Sequence, residues 1–402
     1  MNKGTKKMDE ITENNYHEFG SYSHRTWAEI DIDKIEKNID IIKSLLPEGC
    51  GIIGVVKADA YGHGAVMISK TLEKVVTYFA VSSLHEGIQL RKCGITKDIL
   101  ILGYTPAESA NLLIENNITQ TIFSYNYAKA LYNKISAGKL LTHIKLDTGM
   151  TRLGYEPFEK EDIIKTVADF SLKIDFIGIF THFAVSDDIT SDFTDKQFSY
   201  FIKTTEYLSS KGVQFKYRHV CNSAAIINYP RMHLDLVRPG IILYGLYPDK
   251  STKKIGLEPA LSFKTVIAQT HKIKKGTTIS YGRTFNAEND MTVATIPVGY
   301  ADGFSRLFSN TGTVLINGKR AKIVGRVCMD QSIIDVSGID DVKTGTIVTL
   351  IGRDGNDEIT LEEIADRMDT INYEATCLIG KRVPRIYLKN RAPIATECLI
   401  LE

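Results

Sequence analysis

The chain has no CxxC pair, no cysteines spaced with histidines as a metal site requires, and no apolar run of the roughly 18 to 20 residues that a bilayer crossing needs. Its six cysteines, at 50, 93, 221, 328, 377 and 398, are scattered, several inside apolar segments where a thiol acts as a small hydrophobe. This pattern excludes a disulfide framework and predicts a reducing, cytoplasmic setting without a metal site. Charge of one sign is missing too. The 49 Lys and Arg nearly cancel the 48 Asp and Glu, for a formal net charge of +1. Neither nucleic acid nor a membrane surface is implied as the main partner. Residues 1–24 lack the apolar core of a secretory signal and read as a disordered leader. No internal repeat or low-complexity stretch appears.

What is present fits a folded protein of two or three domains: 402 residues, 43% hydrophobic and 24% charged. From 34 to 246, β-rich runs near 50–57, 78–82, 98–102, 120–124, 142–147, 175–181, 216–221 and 240–244 alternate with helical periodicity. Eight such runs predict an α/β fold, a (β/α)₈ TIM-type barrel, with a doubly wound open sheet as the alternative. Thr194 or Asp195 is expected to cap the long helix that follows. From 247 to 402 the texture becomes mostly β, for example Ala260–Ile273, Met291–Val298 and a hairpin signal at Asn317-Gly318. One helix-like segment, Leu361–Met368, follows Thr360 as N-cap. The short stretch 25–33 is expected to associate as a strand with this second domain.

Residues 51–64, Gly-Ile-Ile-Gly-Val-Val-Lys-Ala-Asp-Ala-Tyr-Gly-His-Gly, place Lys57 where a doubly buried strand leaves the core. It is either a solvated strand end or a nucleophilic amine. On a barrel, the other unusual residues gather at the same end of the strands, where such folds place their chemistry. Tyr61 follows the first strand, Lys145, Asp147 and Arg152 end and follow the fifth, and His182 ends the sixth. Asn222 and Ser223 end the seventh, and Arg238 precedes the eighth. Asn222-Ser-Ala-Ala225 at a strand-to-helix junction is either an ordinary N-cap or a phosphate seat. A phosphate seat together with a strand-end lysine suggests pyridoxal phosphate.

With these residues in place, the chain resembles the alanine racemase family of barrel-type pyridoxal-phosphate enzymes from about Arg25 to Leu388. The shared motifs include Val56-Lys-Ala-Asp-Ala-Tyr-Gly-His-Gly64, Lys145-Leu-Asp-Thr-Gly-Met-Thr-Arg-Leu-Gly154, Thr181-His-Phe-Ala184 and Asn222-Ser-Ala224. Arg238-Pro-Gly240, Ser280-Tyr-Gly-Arg283, Val298-Gly-Tyr-Ala-Asp-Gly303, Gly325-Arg-Val-Cys-Met-Asp330 and Ile371-Asn-Tyr-Glu374 complete the set. The resemblance implies that Lys57 holds the cofactor as a Schiff base and serves as one catalytic base, with Tyr281 as the other. It implies a homodimer in which Tyr281 and Met329 act across the interface. Tyr61, Ser223, Gly240, Ile241 and Tyr373 would hold the phosphate, with His182 beside the ring and touching Arg238. Arg152 would contact the cofactor's phenolic oxygen and position substrate with Met329, and Lys145 matches a position that is carbamylated in many relatives.

Two bases suit racemisation, because a proton leaves Cα on one face and another arrives on the opposite face. An arginine at the pyridine nitrogen keeps its own proton and weakens the electron sink, which disfavours side reactions. Alanine is the expected substrate, with Tyr373 and Tyr281 walling a small pocket and D-alanine for peptidoglycan as the product. The alternatives are a serine or broader-specificity racemase, a barrel-type decarboxylase, and a non-catalytic pyridoxal-phosphate carrier. One departure from the family pattern stands at Phe285, where many relatives have an aromatic with a polar tip.

Overall fold

The computed structural model describes residues 25–398 and divides into two compact units, so the leader predicted at 1–24 lies outside the described residues. The first unit comprises Lys34–Tyr61 and Ala65–Pro259. Its eight strands are β1 (Gly51–Val55), β2 (Tyr78–Val81), β3 (Asp98–Ile101), β4 (Ile118–Ile122), β5 (Leu140–Lys145), β6 (Ile174–Phe180), β7 (Tyr217–His219) and β8 (Leu236–Val237). Each pairs in parallel with the next from β1 through β7, and β1 pairs with β8 on its other side. The ring closes where Asp235 N donates to Arg218 O at 3.1 Å and Arg238 N to Cys221 O at 2.9 Å. A closed ring with sequential neighbours is a (β/α)₈ barrel, and the open-sheet alternative falls.

The apolar runs explain the closure. Every residue of β2 and β4 is buried, as expected for parallel strands covered by helices on one face and by barrel interior on the other. The helices are α1 (Ile32–Ser44), α2 (Ala65–Leu72), α3 (Leu84–Lys92), α4 (Ala110–Glu115), α5 (Tyr125–Lys134), α6 (Lys160–Phe170), α7 (Phe193–Ser210) and α8 (Ser223–Asn228). Local chemistry fixes their starts: the Ser83 side chain accepts from Glu86 N before α3, and Ser124 accepts from Tyr127 N before α5.

Two expectations for the barrel need correction. The eighth strand is the two-residue β8 at Leu236–Val237, so Arg238 follows it; the apolar run expected as a strand, Ile241–Tyr244, is a buried 3₁₀ turn. The long helix α7 starts after Asp192, which makes no side-chain capping bond, so neither Thr194 nor Asp195 is its cap. Asp195 instead pairs with Arg231, and Thr194 is buried inside the helix face.

The second unit holds Ala260 onward together with the strand Thr26–Asp31. That strand pairs antiparallel with Leu261–Val266 and parallel with Arg385–Lys389, in the middle of an eight-stranded sheet. Gln269–Ile273 turns away to pair with Met291–Ile296 in a separate three-stranded sheet, so the stretch expected as one strand, Ala260–Ile273, is two. The Asn317-Gly318 hairpin forms with Ile316 opposite Lys319, and both turn residues take positive φ, 51° and 73°. Thr360 caps Leu361–Arg367 by accepting from Glu363 N.

Candidate active site

The first unit assembles its distinctive side chains at the C-terminal ends of the barrel strands. β1 ends at Val55, and two residues later Lys57 opens a turn in which Ala58, Asp59, Ala60 and Tyr61 all have φ between 52° and 54°. L-residues resist this left-handed region at a cost of roughly 1–2 kcal/mol each, so surrounding bonds must hold the turn. Ala58 N donates to Glu86 Oε1 at 2.7 Å and Ala65 N to Asp59 Oδ1 at 2.8 Å. The turn brings the buried ring of Tyr61 to 5.1 Å from that of Tyr244.

After β5 the chain folds back on itself. Tyr155 N donates to Lys145 O at 2.9 Å and Asp147 N to Tyr155 O at 2.8 Å. Gly154 sits at the crossing with φ 134°, where a Cβ would come within 2.6 Å of Asp147 N. The Asp147 carboxylate accepts from the N–H groups of Gly149, Thr151 and Arg152 at 3.0, 2.9 and 2.8 Å. Burial pushes its carboxyl pKa up, but those three bonds and the Lys145 charge hold it below the ordinary range. Lys145 is buried and donates to Leu146 O at 2.7 Å. Burial lowers its amine to about 7; Asp147 opposes the shift, while Arg238 and Arg152 add to it.

Arg238 is the centre of the strand ends. Its guanidinium is 3% exposed and donates to Thr181 O at 2.7 Å, Val220 O at 2.8 Å and His219 Nδ1 at 2.8 Å, with His182 Nδ1 at 3.4 Å. Arginine only donates, so His219 Nδ1 must accept and its proton sits on Nε2. That proton points at His143 Nδ1, 2.8 Å away. Burial, then the Arg238 charge, pushes His143 down to about 3 and holds His182 and His219 well below the ordinary histidine range. All three are therefore neutral near pH 7, while Arg238, lowered by burial to about 10, stays charged. His182 feels four cations together: Arg238, Lys145, Arg152 and Lys57.

Asn222 accepts from Ala225 N at 3.0 Å, so it is the N-cap of α8, and it also accepts from Ser186 Oγ at 2.7 Å. Ser223 Oγ accepts from Gly240 N at 2.9 Å. At Gly240 a Cβ would approach Tyr61 Oη to 2.7 Å, so this glycine keeps a small polar cradle open between Tyr61 and Ser223. Ile241 begins the buried 3₁₀ turn directly after it. The structure thus gathers Lys57, Tyr61, Lys145, Arg152, His182, Asn222, Ser223, Arg238, Gly240 and Ile241 at one end of the barrel. It also reveals His143 and His219, which the sequence reading passed over. Their signal was a histidine inside each of two strands, followed directly by a β-branched apolar residue, Ile144 and Val220.

Tyr281, Met329 and Tyr373 lie in the second unit. Tyr281 stands in a turn with Ser280, Gly282 and Arg283 at positive φ, where Ser280 Oγ donates to Arg326 O at 2.6 Å. Its ring is 72% exposed, and a hollow of about 520 Å³ beside it is lined by Ser280, Thr295, Cys328, Gln331 and Ile333. Met329 is 53% exposed on a loop pinned by charge. There the fully buried Asp302 accepts from Arg25 at 3.0 Å, Arg382 at 2.8 Å and Gly299 N at 2.9 Å, and Arg382 also reaches Asp330 at 2.6 Å. Tyr373 is half-buried in the helix Asn372–Cys377.

Known proteins place this arrangement. The family model for the alanine racemase N-terminal domain matches residues 30–248, and that for the C-terminal domain matches 260–387. An alanine racemase of Methanococcus maripaludis is 44% identical over 375 residues, 91% of this chain and 99% of its own. One from Clostridium tetani is 45% identical over 371 residues, 90% of this chain and 95% of its own. The solved alanine racemase of Clostridium difficile 630 superposes with a TM-score of 0.89 at 41% identity, covering 94% of this chain and 99% of that one. The Bacillus anthracis alanine racemase with bound L-Ala-P gives 0.90 at 37% identity, covering 94% and 98%. Among the described residues no helix is long and apolar enough to cross a membrane. With both of its units matched in order over nearly the whole length, the chain belongs to the alanine racemase family.

Proposed function

We propose that this protein is a pyridoxal-phosphate-dependent alanine racemase that interconverts L- and D-alanine as a cytoplasmic homodimer, supplying D-alanine for peptidoglycan. The observation that carries the reading is the gathering of Lys57, Lys145, Arg152 and Arg238 at the C-terminal ends of the barrel strands, with Arg238 bonded to Thr181 O and facing His182 Nδ1 at 3.4 Å. Such a site suits a ligand that combines a phosphate, a phenolate and a carboxylate. The residues present fit the cofactor: the cradle that a Cβ on Gly240 would fill lies between two hydroxyls, Tyr61 and Ser223, suited to phosphate oxygens. Lys57 would attach the cofactor, and Tyr373 and Ile241 would join the phosphate contacts. Asn222, as the cap of α8, would fix Ser223 in place.

Bound pyridoxal phosphate supplies an electron sink for the charge left on Cα when its proton departs. Lys57 takes or returns that proton on one face, and Tyr281 of the partner subunit serves the other. The exposure of Tyr281 and Met329 supports this sharing, since both offer side chains that a second copy would cover. Arg238 would meet the ring nitrogen as a donor that keeps its proton, because a guanidinium lowered by burial only to about 10 stays charged near pH 7, while its bonds to Thr181, Val220 and His219 hold it in place. Arg152 would orient the substrate carboxylate with Met329 alongside. The Lys145 amine, neutral in a large fraction near pH 7, would add to carbon dioxide, releasing one proton to solvent and leaving a carbamate anion to hold Arg152.

The test is directional. In Tyr281→Ala, exchange of the Cα proton with solvent deuterium should fall about tenfold or more further for L-alanine than for D-alanine. Equal losses for the two isomers would overturn the assignment of faces.

A further inference from the structure

The turn after Lys57 raises a question that its own residues do not answer: what holds four successive L-residues at φ 52–54°? Part of the answer is internal, with Ala60 N donating to Val56 O at 2.9 Å and Ala65 N to Asp59 Oδ1 at 2.8 Å. A further clamp comes from another strand end. Glu86 Oε1 accepts from Ala58 N at 2.7 Å, while Oε2 accepts from Ser82 N at 2.6 Å and Ser83 N at 3.2 Å.

Glu86 is the third residue of α3, and its reach to Ser83 N completes a capping box. A capping box alone needs only that bond. Here the two shorter bonds go elsewhere, one to the residue following β2 and one to the residue directly after Lys57. One carboxylate thus ties the ends of β1 and β2 together and fixes the first peptide of the left-handed turn. Charged acceptors make the stronger bonds, so the tie is well suited to hold a strained backbone.

We propose that Glu86 is a positioning residue for Lys57, holding the left-handed turn so that the lysine leaves β1 in one direction. The inference rests on Lys57 being the cofactor attachment point. It predicts that losing the carboxylate loosens the Ala58 peptide and misdirects Lys57, rather than merely weakening α3.

The experiment uses the full chain with Glu86→Ala, Glu86→Gln and Ser83→Ala. Ser83→Ala removes the side-chain cap of α3 and leaves the Ala58 bond in place. In Glu86→Ala, hydrogen exchange at the Ala58 amide of the cofactor-free chain should accelerate about tenfold or more. With cofactor bound, its visible-region circular dichroism should change, and kcat should fall about tenfold while KM for alanine stays within about threefold. Glu86→Gln keeps one acceptor oxygen and should shift the same readouts by less, which carries the test if the alanine variant does not fold. Ser83→Ala should lower thermal stability with the Ala58 exchange and the dichroism unchanged. Wild-type exchange and dichroism in both Glu86 variants, or equal changes in Ser83→Ala, would overturn the proposal. Lys57→Ala separates the two readings: loss of the attached cofactor's visible absorbance leaves Glu86 to be judged on its own, and retention overturns both.

Discussion

Replacing Lys145 by methionine tests the electrostatics of the strand ends in a way activity alone does not. The buried amine titrates at about 7, against an ordinary lysine value near 10.4. Between those values the unfolded chain holds the proton and the folded chain has released it. Unfolding therefore takes up a proton, and stability rises with pH at about 1.4 kcal/mol per unit. Below the folded value both states are protonated, and the full penalty for burying the charge, about 5 kcal/mol, weighs on the fold. Methionine has a similar length and no charge, so the variant should gain stability at low pH and little at high pH. The wild-type deficit relative to Lys145→Met should shrink by about 3 kcal/mol from about pH 6.5 to about pH 9.5. The assay is urea unfolding of both cofactor-free proteins in buffers purged of carbon dioxide, comparing the difference across pH. A flat difference would refute the reasoning. Adding bicarbonate should stabilise the wild type alone, through carbamate formation beside Arg152.

Two further perturbations follow from the geometry. Asp302→Asn keeps the shape but removes the charge and turns an amide donor either toward Arg25 and Arg382 or toward Gly299 N, and should cost about 2–4 kcal/mol in urea unfolding; a loss under about 0.5 kcal/mol would show the ion-pair hub to be unimportant. Gly240→Ala places a methyl 2.7 Å from Tyr61 Oη, so the cradle must open. Cofactor affinity should weaken about tenfold, with a stability loss of about 1–2 kcal/mol; unchanged affinity by dialysis and absorbance would argue that phosphate binds elsewhere.

How much was legible in the sequence differed from residue to residue. Lys57 announced itself because β1 is an uninterrupted apolar run with a single cation just beyond it, and the parallel strands read clearly for the same reason. The eighth strand did not. Leu236–Val237 is too short to show a period, while Ile241–Tyr244 is fully buried and looks like a strand, although its backbone turns to seat Ile241 beside Gly240. The Arg238–His219–His143 chain was invisible for a different reason, since three strands must close before residues so far apart in sequence touch. The cap of α7 failed because Asp192 takes helical backbone angles and its side chain pairs with Lys196 instead. Tyr281, on a hairpin far from the barrel in sequence, came from the family motif; no periodicity marks it.

The measurement that tests the account most directly is the initial rate of D-isomer formation from L-alanine and from L-serine, run in parallel with cofactor-loaded protein. The account predicts that alanine leads by tenfold or more, a difference of about 1.4 kcal/mol at the transition state. Equal rates, or serine ahead, would contradict the small pocket assigned to Tyr281 and Tyr373, and no D-isomer from either substrate would contradict the racemase itself.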